Sequence, residues 1–305
     1  VNITGDGDMT VAATGSITAG VGTATLTTNE TLNADANINL AGNINAAKVV
    51  LDSADAITQT TGGITATQLR VMAASGAADD AVDLDGSNNV GTLAATKSTT
   101  AAGGGHISTF NFNNDANALT IGTVDAVSGI TASPSVITNS DVTLTAGDLV
   151  ISQPIVATGV GNGIGVVTLR PNLNTNVNIV DAGATTDFGL TQAELNQITA
   201  SALRIGTTAG TGNLAVGGGA AVTNGTNWSS LILRAGSGGI SQTQPLTVTN
   251  LAVESSGTVN LGNAGNAVTT FAASLTGAGT LQYTDSNTLT VGRVGADGVG
   301  DLVAG

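Results

Sequence analysis

Cysteine is absent from the 305 residues, so no disulfide can brace the fold and packing and hydrogen bonds must hold it alone. Aromatic side chains make up only 2 % of the chain, which excludes a core built on Phe and Trp. Charge is equally scarce, at 9 % of residues where an ordinary domain carries roughly 25 %. Lys and Arg number 7 against 21 Asp and Glu, for a net charge of -14. That balance leaves no basic stripe for nucleic acid or for an anionic membrane surface. No apolar run reaches the 18 or so residues that a membrane span requires, so membrane insertion is not expected. The opening at Val1, with neither Met nor a signal segment, is expected of part of a longer or processed product.

What the chain does have is small. Gly numbers 43, with Ala, Thr and Asn crowding the remainder, and hydrophobic residues reach 41 %. The mean hydropathy of +0.28 argues against disorder. Nearly all the acids are Asp, which favours turns over helix interiors. An interior filled by Val, Ile, Leu and Ala must be thin, and a narrow solenoid meets that condition better than a broad globule.

The sequence also repeats itself. ITQTTGGITATQLRV (57–71) returns as ISQTQPLTVTNLAV (240–253), with Ile57, Gln59, Leu69 and Val71 matching Ile240, Gln242, Leu251 and Val253. Downstream, VDLDGSNNVGTLAA (82–95) matches VNLGNAGNAVTTFAA (259–273), and NALTIGTV (117–124) matches NTLTVGRV (287–294). Short alternating runs such as TATLTT (23–28), INLAGNI (38–44), VTLTAGDLVI (142–151) and SLILR (230–234) break at Gly, Asn or Asp, as short strands with turns do. Strands at spacings of about 8 to 12 residues fit a sandwich, a barrel or a β-helix. The repeated order and the slim interior favour the last. We therefore expect an all-β protein, one continuous parallel β-helix over residues 1–305, with internal repeats at approximately 1–140 and 141–305 and about 20 residues per coil stacked at 4.8 Å. One stretch departs from the pattern. In LTQAELNQITASALRIG (190–206), Thr191 and Glu194 form a capping-box pair and Leu195 and Ile198 recur at helical spacing, which predicts a short helical insert over 192–199.

With these residues in view, the chain resembles the repetitive shaft of filamentous-haemagglutinin-like bacterial exoproteins, the large adhesins exported by two-partner secretion or as autotransporters. The likeness rests on I-[ST]-Q-T…L-x-V, N-x-V-x-T-[LF]-A-A, N-x-L-T-[IV]-G-x-V and the 190–206 stretch, and it covers nearly the whole chain. It implies a right-handed β-helix, secretion to the outside or the cell surface of a Gram-negative bacterium, and roles in attachment, aggregation or filament building. It implies no catalytic residue in the shaft. The partners it implies are homotypic, end to end or lateral, or the glycans and proteins of host and neighbouring cell surfaces.

Few residues suggest chemistry. His106, the sole histidine, sits in AGGGHIS with nothing in its spacing to make a Ser–His–Asp arrangement, and reads as a loop residue. Asp79, Asp80, Asp83 and Asp85 are the main acidic cluster, with Gly5-Asp6-Gly7-Asp8 and Asp297 to Asp301 as weaker versions. Asp83 and Asp85 alternate with Val82 and Leu84, so both carboxylates should leave the same strand face. With Ser87 and Asn89 they mimic the start of a calcium loop, although its closing Glu would fall at Ala94. A weak calcium site at Asp83 and Asp85 is the one metal candidate, and no other cofactor is expected. Outward acids on a β-helix also suit a carbohydrate-acting lyase or hydrolase, the alternative reading. Such sites use basic and aromatic partners, whereas lysine occurs only at Lys48 and Lys97, and Trp228 and Tyr283 are far apart in sequence. Sequons stand at Asn2, Asn29, Asn224 and Asn227. The many Asn are expected to satisfy turns and to stack as amide ladders inside the coil. Gly217-Gly218-Gly219 reads as a turn. The expected function is that of a non-catalytic structural shaft.

Overall fold

The structure is a computed structural model and describes residues 1–29, 36–73, 80–98, 106–134, 139–160, 164–179 and 187–294. It is an all-β protein of long parallel sheets, with 60 % of the described residues in strands and 2 % in helix. Its contacts divide it into two compact units, Val1–Thr145 with Ile151–Gly163, and Ala146–Val150 with Ile164–Gly305.

In the first unit, Asn2–Asp6, Ser16–Asn29, Asn43–Asp52, Ile64–Ala73, Asn89–Lys97, Ile130–Ala132 and Ile155–Ala157 form one parallel ladder. Met9–Val11, Ile38–Leu40, Ile57–Gln59, Asp80–Leu84, Ile107–Asn113 and Ser140–Ala146 form another. The chain alternates between the two, as coils of a solenoid do. Two-residue periodicity turns every second side chain inward, and parallel register then stacks like on like. Leu26, Leu51, Val71 and Ala95 make one such row, and each is 0 % exposed. Burying a Leu or Val in this way contributes about 1.5–3 kcal/mol.

The second unit repeats the scheme. Gly165–Pro171, Ala202–Gly206, Ser230–Ala235, Leu246–Ser255, Ala267–Leu275 and Thr290–Val291 pair in order. Phe188–Leu190, Val177–Ile179, Leu214–Val216, Ile240–Gln242, Val259–Leu261 and Leu281–Tyr283 form the companion ladder. The inward row Val167, Leu203, Leu231, Leu251 and Phe271 advances by 20 residues at each step from Leu231 to Phe271. The companion ladder does not run in sequence order, because Phe188–Leu190 returns to the outer edge of Val177–Ile179 while Leu214–Val216 takes the other edge.

The helical insert is half as long as its spacing predicted. The helix α1 spans Gln192–Leu195, and the Thr191–Glu194 capping box is present. Ile198–Thr199 is strand. Leu195 and Ile198 are both 0 % exposed, so the spacing that suggested one amphipathic helix serves a single turn followed by a buried strand residue. The insert is bound into the coil. Trp228 Nε1 donates to the Leu195 carbonyl at 3.3 Å, and Gln192 exchanges two hydrogen bonds with the Thr223 backbone.

Two sheet faces that should meet solvent are covered. In the first unit, Met72 and Ala94 point away from the Leu26–Ala95 row, yet they cluster with Val124 and Val127. These valines sit on an antiparallel hairpin, Thr123–Val124 with Val127–Ser128, folded across the outer surface. Asp125, in a left-handed conformation at the hairpin tip (φ 52°), binds Lys48 at 2.7 Å and Arg70 at 3.1 Å. In the second unit, Val294 packs with Ile232, Ala252 and Ala272. Val124 and Val294 are the matched last residues of N-x-L-T-[IV]-G-x-V. In both copies the glycine amide before the valine donates back to the preceding coil, Gly122 to Leu93 and Gly292 to Phe271.

Candidate functional site

The most built polar feature is a buried amide pair that occurs twice. Gln59 ends the strand Ile57–Gln59, in an inward position, and is 4 % exposed, while Asn88, just before Asn89–Lys97, is 1 % exposed. Gln59 Nε2 donates to Asn88 Oδ1 at 2.9 Å, and Asn88 Nδ2 donates back to Gln59 Oε1 at 3.1 Å. Asn88 Oδ1 also accepts from the Ile64 amide, and its Nδ2 reaches the Leu84 and Asn113 carbonyls. In the second unit Gln242 and Asn266 make the same reciprocal bonds, at 2.5 and 3.2 Å. Asn266 Oδ1 accepts from the Leu246 amide, and Nδ2 reaches the Leu261 and Thr284 carbonyls. Gln59 and Gln242 are the glutamines of I-[ST]-Q-T, and Asn88 and Asn266 the first residues of N-x-V-x-T-[LF]-A-A. A buried unpaired backbone group costs about 1–3 kcal/mol, so one side chain that serves a turn on three coils is a strong structural requirement. Asn114 (0 % exposed) does the same work one coil on, for the Val90 amide and the Ala118 carbonyl.

The alternation of Val82, Asp83 and Leu84 is the one expected, and Asp85 follows the end of the strand. Val82 and Leu84 are buried, Asp83 lies half-buried on the outer face, and Asp85 is exposed just past the strand. Asp83 stands between Thr58 and Asn111 in register. Its carboxyl is pushed above the usual range by burial and by the neighbouring Asp85 charge. Among the described residues no third His, Cys, Asp or Glu joins the pair in a cluster that could hold a metal. Asn88, between the expected calcium-loop positions Ser87 and Asn89, turns inward to the amide pair. Asp79 and Asp297 to Asp301 lie outside the described residues. Asp8 accepts two hydrogen bonds from Asn37, both at 2.9 Å, which lower its pKa.

His106 is half-buried, and its carbonyl accepts from the Asp80 amide. A shallow pocket beside it is lined by Thr96, Lys97, Thr131 and Ser133, with no carboxylate in the lining. Of the sequon residues, Asn224 and Asn227 use their amide nitrogens internally, donating to Trp228 O and Asn196 O respectively. Trp228 (3 % exposed) is a packing residue against α1. Tyr283 stacks on Phe271 with centroids 4.2 Å apart and donates to Asp285 at 2.5 Å. Burial and that carboxylate push its phenol well above the ordinary value.

Sequence reasoning did not find a group of arginines on the outer face of the second unit. Arg204, Arg234 and Glu254 alternate with inward residues of successive strands, and Arg234 pairs with Glu254 at 2.6 Å. Arg170 follows Leu169, the neighbour of Ile205, and so comes level with Gly206. These positions are separated by long loops in sequence, and only the register brings them together. No family model, no curated protein and no solved structure matches the chain.

Proposed function

We propose that this chain is a structural shaft segment, a right-handed parallel β-helix from a bacterial surface adhesin or filament of the filamentous-haemagglutinin-like kind. In this reading it is secreted to the outside or the surface of a Gram-negative cell and works in attachment, aggregation or fibre formation without catalysis. The observation that carries the reading is the doubled motif. The same glutamine–asparagine pair, the same aliphatic rows and the same outward valine recur in both units, as expected when selection acts on a stackable coil. The partners are further coils or copies of the same kind, added to strand edges where Ile3, Leu281 and Val291 are exposed. Cell-surface glycans or proteins would be met along the flank. Asp83 has Thr58 and Asn111 as its register neighbours, a surround that gives the lyase or hydrolase alternative no support.

Sedimentation and negative-stain imaging of the full chain test the proposal. Elongated particles that associate as concentration rises are expected. Compact particles that stay monomeric at every concentration would overturn it.

A further inference from the structure

On the outer face of the first unit, a groove of about 520 Å³ crosses four successive strands of the longer ladder. That volume admits a stretch of an extended ligand. Asn45, Thr65 and Asn89 stand in register on three of the strands, and all three are exposed. Thr67 adds a second hydroxyl, and the small residues Ala47 and Gly91 keep the floor low. On Ser16–Asn29 the register slips at Gly20, and Val21 stands clear beside the groove at 100 % exposure.

These polar groups are uncommitted. Among the described residues, the amides of Asn45 and Asn89 and the hydroxyls of Thr65 and Thr67 have no hydrogen-bond partner in the protein. Their neighbours differ. Asn88 turns inward to Gln59, and Asn43 accepts from the Gly63 amide at 2.8 Å. The second unit shows that the coil does not require the open groups. Thr247 and Ala267 pair there as Thr65 and Asn89 do in the first unit, at matching positions of the repeat, so alanine builds the strand equally well. Thr249, the match of Thr67, accepts from the Asn224 amide at 3.1 Å. The lining of the groove carries no charge, in a chain whose net charge is -14. Lys48, next to Ala47, is held by Asp125.

We propose that this groove binds an extended, neutral polysaccharide laid across the strands. Neighbouring coils are about 4.8 Å apart, and an extended β-linked glycan advances by a similar distance per sugar. Asn45, Thr65 and Asn89 would each meet one sugar of such a chain. Sugar hydroxyls both donate and accept hydrogen bonds, which suits side-chain amides and hydroxyls. Val21 supplies an apolar contact for the C–H face of a ring. An extended peptide fits less well, because it pairs with a free strand edge, and the strand backbones here are used in the ladder. A polyanion would meet the repulsion of an acidic surface. The inference names a glycan partner for the proposed shaft and rests on that reading for its setting, while its measurement does not depend on association of copies.

Calorimetric titration of the full chain tests it, with cellohexaose, chitohexaose, mannohexaose and hexagalacturonate as separate probes. Saturable binding of at least one neutral hexasaccharide is expected, weakening about ten-fold or more for the matching disaccharide, which engages fewer coils. Asn45→Ala combined with Asn89→Ala should weaken binding about ten-fold or more without lowering the melting temperature. Asn39→Ala, which removes an outward amide from the other ladder, should change it less than about two-fold. No saturable binding by any neutral hexasaccharide, tighter binding of hexagalacturonate, or an equal loss in Asn39→Ala would overturn the proposal. So would a double variant that binds no sugar differently but loses concentration-dependent association in sedimentation, since the groove would then be an interface between copies. Compact monomers that still bind the hexasaccharide would remove the shaft reading and leave the groove standing.

Discussion

Asn88 concentrates more of the first unit's requirements than any hydrophobic side chain near it. Its amide satisfies Gln59, the Ile64 amide and two carbonyls on different coils. Asn88→Ala leaves those groups buried without partners, and we expect a loss of about 3 kcal/mol in chemical denaturation. Asn89→Ala, at the exposed next position, should stay within about 0.5 kcal/mol. A double-mutant cycle with Gln59→Ala should be strongly non-additive, because the two amides bond each other reciprocally. Asp52 provides the converse case. It is 7 % exposed, accepts from Ser98 Oγ at 2.6 Å, and burial raises its pKa above 3.8. A carboxyl that binds its proton more tightly folded than unfolded costs stability as pH rises through that interval. Asp52→Asn should therefore be more stable than the parent at neutral pH, with the gap closing as pH falls below 3.8. Urea midpoints measured across pH check the sign.

Among the elements, the hairpin Thr123–Ser128 has a role that the alternation of its sequence concealed. The repeat NALTIGTV begins as a strand, with Thr120 and Ile121 paired to Thr92 and Leu93. The direction taken after Gly122 depends on Met72 and Ala94 offering an apolar patch on the outer face, which is a tertiary fact invisible in a linear pattern. The helical insert was read too long for a related reason. Leu195 and Ile198 are three residues apart in either structure, and burial alone decided that the second would be strand. The hairpin is held by Val124 and Val127 below and by the Asp125 ion pairs at its tip. Lys48, donating to Asp125, holds that carboxyl below its usual 3.8, so its contribution is present above that value and lost as pH falls through the depressed one. Asp125→Ala should cost the whole protein about 1 kcal/mol or less, as partly exposed ion pairs do. Its clear signature should be faster amide exchange at residues 123–128, reproduced in the parent by high salt or by acid. Unchanged exchange there would mean that the valines suffice.

At the scale of the whole chain, the interior was legible because it has few alternatives: without disulfides and almost without aromatic rings, in-register aliphatic rows are the structure these residues can bury. The arginine group was illegible because Arg170, Arg204 and Arg234 become neighbours only after loops of unequal length have been fixed. Stacking of this kind also sets how damage spreads. Each coil bonds to the coil on either side, so stability should be a sum of local and nearest-neighbour terms. Leu251 lies between Leu231 and Phe271 and is 0 % exposed. Leu251→Ala opens a cavity in a row with no large side chain free to refill it, and should cost about 2–5 kcal/mol. Hydrogen exchange should place that cost locally. Amides from Ser230 to Leu275 should lose protection first, while the Leu26–Leu51–Val71–Ala95 row retains its own. Equal loss in both rows would instead mean that the chain unfolds as one cooperative body, and that local coil-to-coil terms do not govern its stability.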